Sequence, residues 1–163
     1  MRRMRKAWGY RSVLAGLVVG LTMTGGSVMA GDEATPAAGQ AAGQGGAAAP
    51  AQVDGLLTIR SRYSVSDSIK RVQEALLAKG LTVFTVIDHQ KAAQQHSLEM
   101  PAASVIVFGN PKVGTPMMVQ SPTLAIDLPS KVLVWEDSQG NVYASMNTAA
   151  WLAQRHHLSP EVL

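Results

Sequence analysis

The residues with the clearest chemical pattern lie between Phe108 and Thr115, FGNPKVGT, at the end of the apolar run ASVIVFG. A strand running into a glycine turn, with a lysine and a threonine close behind, is the setting of a phosphate loop, G-x-x-x-x-G-K-[ST]. Gly109 and Gly114 have that separation. The lysine is displaced, however. Lys112 lies inside the loop and Thr115 stands in the lysine position. Pro116, which has no N–H, occupies the place of the hydroxyl that would hold magnesium. This is not a nucleotide-hydrolysing loop, and no cofactor is read from the sequence. A milder role survives. Gly109-Asn110-Pro111 leading into a helix would present backbone N–H groups to an anion, with Lys112 and Thr115 beside them. The alternative is a plain strand-to-helix turn whose glycines supply unusual backbone angles.

Acids and histidines form the second set. Asp127, Glu136 and Asp137 flank the segment LPSKVLVW, and paired carboxylates serve acid–base chemistry when one has its pKa raised. Asp127 follows an apolar run, and Lys131, four residues on across a proline turn, is its natural counter-ion and a further anion-binding candidate. An Asx-turn fixing that reversal is the structural alternative. Asp88 with His89 is the other carboxylate–imidazole candidate for proton transfer. His89, His96 and His156 are the residues a metal site would draw on. A zinc site combines three or four His, Cys or carboxylate ligands at characteristic spacing. With no cysteine and no H-x-x-x-H pair, no metal is assigned, and Arg155 and His156 are read as caps on the last carbonyls of a closing helix. No G-x-S-x-G elbow is present, so covalent hydrolysis has no support. Met117, Met118 and Met146 offer a pliable ligand surface or, more ordinarily, gap-filling core.

The elements that must position these groups follow from periodicity. GLLTIRSRYS (55–64) alternates, with Leu57, Ile59 and Ser61 facing one way, as a half-buried strand does. SVSDSIKRVQEALLAKG (64–80) is the clearest helix, with Ser64 and Asp67 as a short capping box, Val65, Ile69, Val72, Ala75 and Leu76 on one face, and Gly80 at the C-cap. LTVFTVID (81–88) reads as a strand, expected to be central. DHQKAAQQHSLE (88–99) reads as a short surface helix, and MPAASVIVFG (100–109) as a second buried strand. A short helix is expected from about Pro111 to Gln120, with a start nearer Thr115 as the alternative because of Pro116. TLAIDLPSKVLVWED reads as strand, turn and strand; SQGN (138–141) is a tight turn and VYASMN (142–147) its hairpin partner. TAAWLAQRHHL (148–158) is a closing helix. Intermixed strands and helices without βαβ spacing point to an α+β domain with a mostly antiparallel sheet.

The remainder of the 163 residues is of another kind. Residues 1–12 carry five basic groups and no acid, followed by a short apolar core and a Val28-x-Ala30 pair. That is the pattern of a signal peptide over 1–30, cleaved after Ala30. Val13 to Thr24 is short of the roughly 20 apolar residues of a membrane span, so no membrane insertion is expected after cleavage. An uncleaved anchor in the inner membrane, facing the periplasm, is the alternative. No cysteine stands there for a lipid anchor. Cleavage removes all five basic residues and leaves nine Lys and Arg against eleven Asp and Glu, a net charge of −2. No basic footprint for nucleic acid remains. Residues 31–53 are almost entirely Ala, Gly, Gln and Pro and read as a flexible, disordered linker. The domain is then 54–163, in a periplasmic or secreted protein.

FGNPKVGTPMM, P-x-x-AIDLPSKVLVWED and N-x-x-x-x-LAQRH, in that order, resemble the blocks of a bacterial and archaeal family, domain-of-unknown-function family 302. The resemblance covers about residues 55–158. It implies a single compact α+β domain with a strongly curved sheet, similar to the TATA-binding-protein-like folds, and often a homodimer. It implies no activity. The family usually carries an aromatic near Met146, and methionine there weakens a stacking role. Two readings of function result. One is a non-enzymatic binding or interaction module of the cell envelope, with a small-ligand cleft near Asn110–Thr115 and Asp127–Lys131 or a dimer surface. The other is a small-substrate enzyme using Asp127, or Asp88 with His89. Metal or anion binding in the periplasm is a third.

Overall fold

A computed structural model describes residues 52–159. The export signal expected over 1–30, and residues 31–51 of the expected linker, lie outside the described residues. Five strands form one antiparallel sheet: β1 (Leu56–Arg60), β2 (Thr82–Asp88), β3 (Ala103–Gly109), β4 (Ser130–Glu136) and β5 (Val142–Asn147), in the order β1-β5-β4-β3-β2. Between them lie α1 (Val65–Ala78), α2 (His89–Gln94), α3 (Pro111–Gln120) and a 3₁₀ helix (Pro122–Ile126), and α4 (Ala149–Arg155) closes the fold. The domain is α+β, as the mixture of elements predicts.

The central strands owe their position to a strict alternation. Ser104, Ile106 and Phe108 on β3, Val132 and Val134 on β4, and Val142, Ala144 and Met146 on β5 are buried, while the residues between them on β3 and β4 are half-buried or exposed. Direct partners across antiparallel strands share a face, and Ile106 opposes Val132 while Val134 opposes Ala144. That face meets α1 through Val72 and Leu76, with Val65 and Ile69 packed at its margin. Met146, 2% exposed, is therefore core.

Helix α1 has the ends its sequence dictates. The Asp67 N–H donates to Ser64 Oγ at 3.1 Å. At the other end Leu81 N–H reaches back to the Leu76 carbonyl at 3.1 Å, across Gly80 at φ +69°, the left-handed stop that favours glycine. The apolar stripe contains one polar residue, Ser68. It is fully buried and its hydroxyl pairs with that of Ser61 at 2.7 Å, which joins α1 to the end of β1.

Two expectations need correction. LTVFTVID is not a central strand. β2 pairs with β3 alone and forms one edge of the sheet. Its apolar, β-branched composition matches that of a buried strand, but Phe84, Val86 and Ile87 are 48%, 37% and 45% exposed. TLAI is not a strand either, since Pro122–Ile126 forms the 3₁₀ helix. Its Leu124 enters a second apolar cluster with Leu152, Ala153 and Leu158, against which Met117, Met118 and Leu128 pack. Proline at the first helical position and a 3₁₀ spacing suit a segment of five residues that buries only Leu124.

The start of β1 is fixed against α4. Gly55 accepts the Thr148 N–H at 2.8 Å and adopts φ +79°, and a Cβ built there would collide with the indole of Trp151. Gly55→Ala is expected to lower stability by about 1–3 kcal/mol through both backbone strain and overlap, as read from urea denaturation midpoints.

Candidate functional site

The 3₁₀ helix ends at Asp127, and α4 ends at Arg155 with His156 as its C-cap. Their ends meet. His156 Nε2 lies 2.6 Å from Asp127 Oδ2, and Nδ1 lies 2.9 Å from Thr123 Oγ1. Arg155 Nε stands 3.4 Å from the same carboxylate oxygen. Because an ionised carboxylate only accepts, Nε2 carries the proton given to Asp127. In the neutral ring Nδ1 then accepts from the Thr123 hydroxyl. The imidazole is 3% exposed and the carboxylate 14%. Ser121 Oγ adds a bond to the His156 carbonyl at 3.1 Å. Hydroxyl, imidazole and carboxylate thus form one chain that ties the 3₁₀ helix to α4 over the second apolar cluster.

This arrangement replaces two expected pairings. Lys131 is not the counter-ion of Asp127. Its Nζ donates to the backbone carbonyls of Asp127 and Pro129, both at 3.1 Å, and the carboxylate turns to His156 and Arg155 instead. Nor does the Arg155 side chain serve as a cap on α4, because it is directed to Asp127. Thr123 was not singled out by sequence, and the pairing of Asp127 with His156, 29 positions apart, leaves no local pattern. The one available signal was a histidine at a helix terminus and a carboxylate after an apolar run.

The Asn110–Thr115 turn and the Leu128-Pro129 turn do come together. A Cβ on Gly109 would lie 3.7 Å from that of Pro129, and one on Gly114 3.6 Å from Leu128 Cδ1. The contact is apolar. The first amides of α3 are also already engaged. Lys112 N–H donates to Asn110 Oδ1 at 3.0 Å, and the Val113 and Gly114 N–H groups donate to the Asn110 carbonyl. Lys112 and Thr115 are exposed on the helix.

Asp88 caps α2, its Oδ1 accepting from the Lys91 N–H at 2.9 Å. His89 begins that helix and His96 follows it, whereas His156 belongs to α4. Among the described residues no three His, Asp or Glu side chains gather around a common ion position. No helix of the described residues is long and apolar enough to cross a membrane.

The last acid, Asp137, organises the β4–β5 turn. It accepts from the Gln139 and Asn141 N–H groups, each at 2.9 Å, and from Asn141 Nδ2 at 3.0 Å. Desolvation pushes its carboxyl up, but the bonds from Asn141, Gln139 and Tyr143 outweigh it and hold the pKa below the usual 3.8. Since the charged form is favoured in the fold, its contribution is complete above pH 3.8 and is lost as pH falls through the depressed folded value. Asp137→Ala is expected to melt at a lower temperature than the parent at neutral pH, with the gap closing in acid.

Comparison with known proteins gives this arrangement a family. Residues 57–163 match the family described as Domain of unknown function DUF302. The chain is 44% identical over 104 residues to the Fluoride-specific ion channel FluC 1 of Brucella suis biovar 1 (strain 1330), covering 64% of this chain and 41% of that protein. The FluC 1 of Brucella abortus biovar 1 (strain 9-941) matches at the same identity, with 38% of its length covered. The chain therefore spans about two fifths of the curated relatives it matches. The crystal structure of an uncharacterized conserved protein DUF302 from Bacillus stearothermophilus superposes with a TM-score of 0.60 at 17% identity, over 68% of this chain and 85% of that one. At that identity the likeness concerns the fold. With its α+β fold and a family match across nearly all of the described domain, the chain belongs to the DUF302 family.

Proposed function

We propose that this DUF302 domain is a non-enzymatic interaction module of the cell envelope, and that it pairs with a second copy of itself through strand β2. The observation that carries the reading is the apolar, unpaired edge. An edge strand offers a row of unpaired N–H and C=O groups, which proteins usually guard with charges or proline. β2, TVFTVID, has neither before Asp88, and its guard is confined to an irregularity between Val83 and Thr85. Leu98 and Met100, also exposed, follow α2. Antiparallel self-pairing of β2 would bring no like charges together along its apolar stretch. Export rests on the basic and apolar segments of residues 1–30. The Brucella relatives support a module rather than a free-standing enzyme, because there the matched length is joined to a longer protein. Fluoride conduction is not carried over, as the larger part of those proteins has no counterpart here.

Sedimentation of the full chain is expected to give a dimer that Val86→Lys converts to a monomer with unchanged melting behaviour. A monomer at all concentrations, or a dimer indifferent to Val86→Lys, would remove β2 self-pairing.

The Thr123–His156–Asp127 chain favours one other reading, since a hydroxyl bonded to an imidazole that a carboxylate orients is the geometry of an activated nucleophile. The buried ring and the apolar surroundings support a clamp instead. On that assignment p-nitrophenyl acetate is hydrolysed no faster by the protein than by buffer, and Thr123→Val costs only about 1 kcal/mol of stability. Turnover above background that Thr123→Val abolishes would make the domain an enzyme.

A further inference from the structure

The sheet has two faces, and α1 covers one of them. On that inner face α1 packs against β2, β3 and β4. On the other face of the same three strands no side chain is buried. Antiparallel partners share a face, so the registers align Ile87, Val105 and Leu133 in one outer row and Thr85, Val107 and Lys131 in the next. Val105, Val107 and Leu133 are half-buried, and Ile87 is exposed. Phe84, at the register shift of β2, lies over one end of this face, where a Cβ on Gly109 would stand 3.5 Å from its ring. Trp135 stands at the other end, its indole N–H donating to Ser145 Oγ at 3.0 Å and its ring 4.9 Å from that of Tyr143.

The charges around this apolar face are of one sign. The outward register positions of the five strands hold Lys131 and Arg60 and no acid. Lys131 Nζ donates to two backbone carbonyls, and Arg60 Nη2 donates to Asn141 Oδ1. Neither is in an ion pair among the described residues. Asp127 turns its carboxylate to His156 and Arg155, and Asp137, which shares Asn141 with Arg60, is engaged by the β4–β5 turn.

We propose that this outer face docks an acidic amphipathic helix of a partner protein. The apolar stripe of that helix covers Val105, Val107 and Leu133, as helix-in-groove recognition does, and its carboxylates meet Lys131 and Arg60. The dimensions agree. β2 and β4 stand about 10 Å apart across β3 at the usual strand spacing, close to the width of a helix. β3 runs for 7 residues, roughly 23 Å, which is the length of about 15 helical residues. On the inner face α1 covers the same strands with 14. A second copy fits less well, because two such faces bring cations to cations with no acid between them. Docking uses side chains of the face, whereas β2 self-pairing uses the backbone of the edge, so the proposal does not rest on that reading.

Amide and indole NMR shifts of the full chain, titrated with a synthetic helix, test it. The probe is a peptide of about 15 residues with Leu at i, i+3, i+4 and i+7 spacing and Glu elsewhere. Its counterpart carries Lys in place of every Glu. The Glu peptide is expected to shift Val105, Val107, Leu133 and the Trp135 indole, and to bind about tenfold or more tightly than the Lys peptide at low salt. Val105→Lys, on β3 and so away from the β2 edge, abolishes the shifts on the rest of the face. Lys131→Glu narrows the preference for the Glu peptide by about fivefold or more, a change that a purely structural role for Lys131 does not give. Melting curves establish that both variants are folded. The proposal is overturned if neither peptide shifts the face, if both bind the parent equally, or if the shifts fall on α1 instead. Shifts of the same residues on raising protein concentration alone would assign the face to a second copy. Binding of phosphatidylglycerol vesicles without binding of the Glu peptide would assign it to a lipid surface. Either result overturns the helix assignment, whereas the state of the β2 edge is read separately from the amides of Thr82–Asp88.

Discussion

The register of β3, β4 and β5 is the constraint on which the rest of the domain depends. Side chains alternate across a strand with a period of two, so a slip of one residue would turn Ile106, Val132, Val134 and Ala144 away from α1. With that register fixed, β1 attaches at one edge and β2 at the other. The chain beyond each strand then has little choice. Asn110 must turn from β3 into α3, and Leu128-Pro129 must turn from the 3₁₀ helix into β4 against it. The two edges differ in consequence. The β1 edge carries Arg60 tied to Asn141, and the β2 edge carries bare apolar side chains.

A second, smaller core makes the closing elements dependent on a polar contact. The cluster of Leu124, Leu152, Ala153 and Leu158 is small, and short helices such as α4 are marginal without tertiary support. The Asp127–His156–Thr123 chain, centred on the buried His156 ring, supplies direction where apolar burial alone supplies little. Buried polar groups are costly unless bonded, and here no buried side-chain nitrogen or oxygen of the described residues lacks a partner. The same chemistry that resembles a nucleophile and its base thus satisfies a structural need, and that is why the interaction reading is preferred to the enzymatic one.

Much of the fold was legible because its signals are local. The Ser64 cap, the Gly80 stop and the alternation of ASVIVFG are each read within a few residues, and each is where periodicity puts it. Sequence and structure part where burial depends on distant partners. TVFTVID has the composition of an interior strand, and nothing inside those seven residues says that no neighbour lies on its far side. The site was less legible still. Lys131 is close to Asp127 in sequence and so looked like its partner, whereas His156 and Arg155 arrive from the end of the chain. Arg60 and Asn141 likewise meet only through the pairing of β1 with β5.

Amide hydrogen exchange along Thr82–Asp88, compared between dilute and concentrated protein, distinguishes an edge that receives a strand of a second copy, as proposed, from one that stays bare. The outward-pointing amides of β2 should exchange fast in dilute solution and become protected as concentration rises, while those bonded to β3 are protected throughout. Exchange along β2 that is the same at every concentration would mean that the strand does not pair between copies.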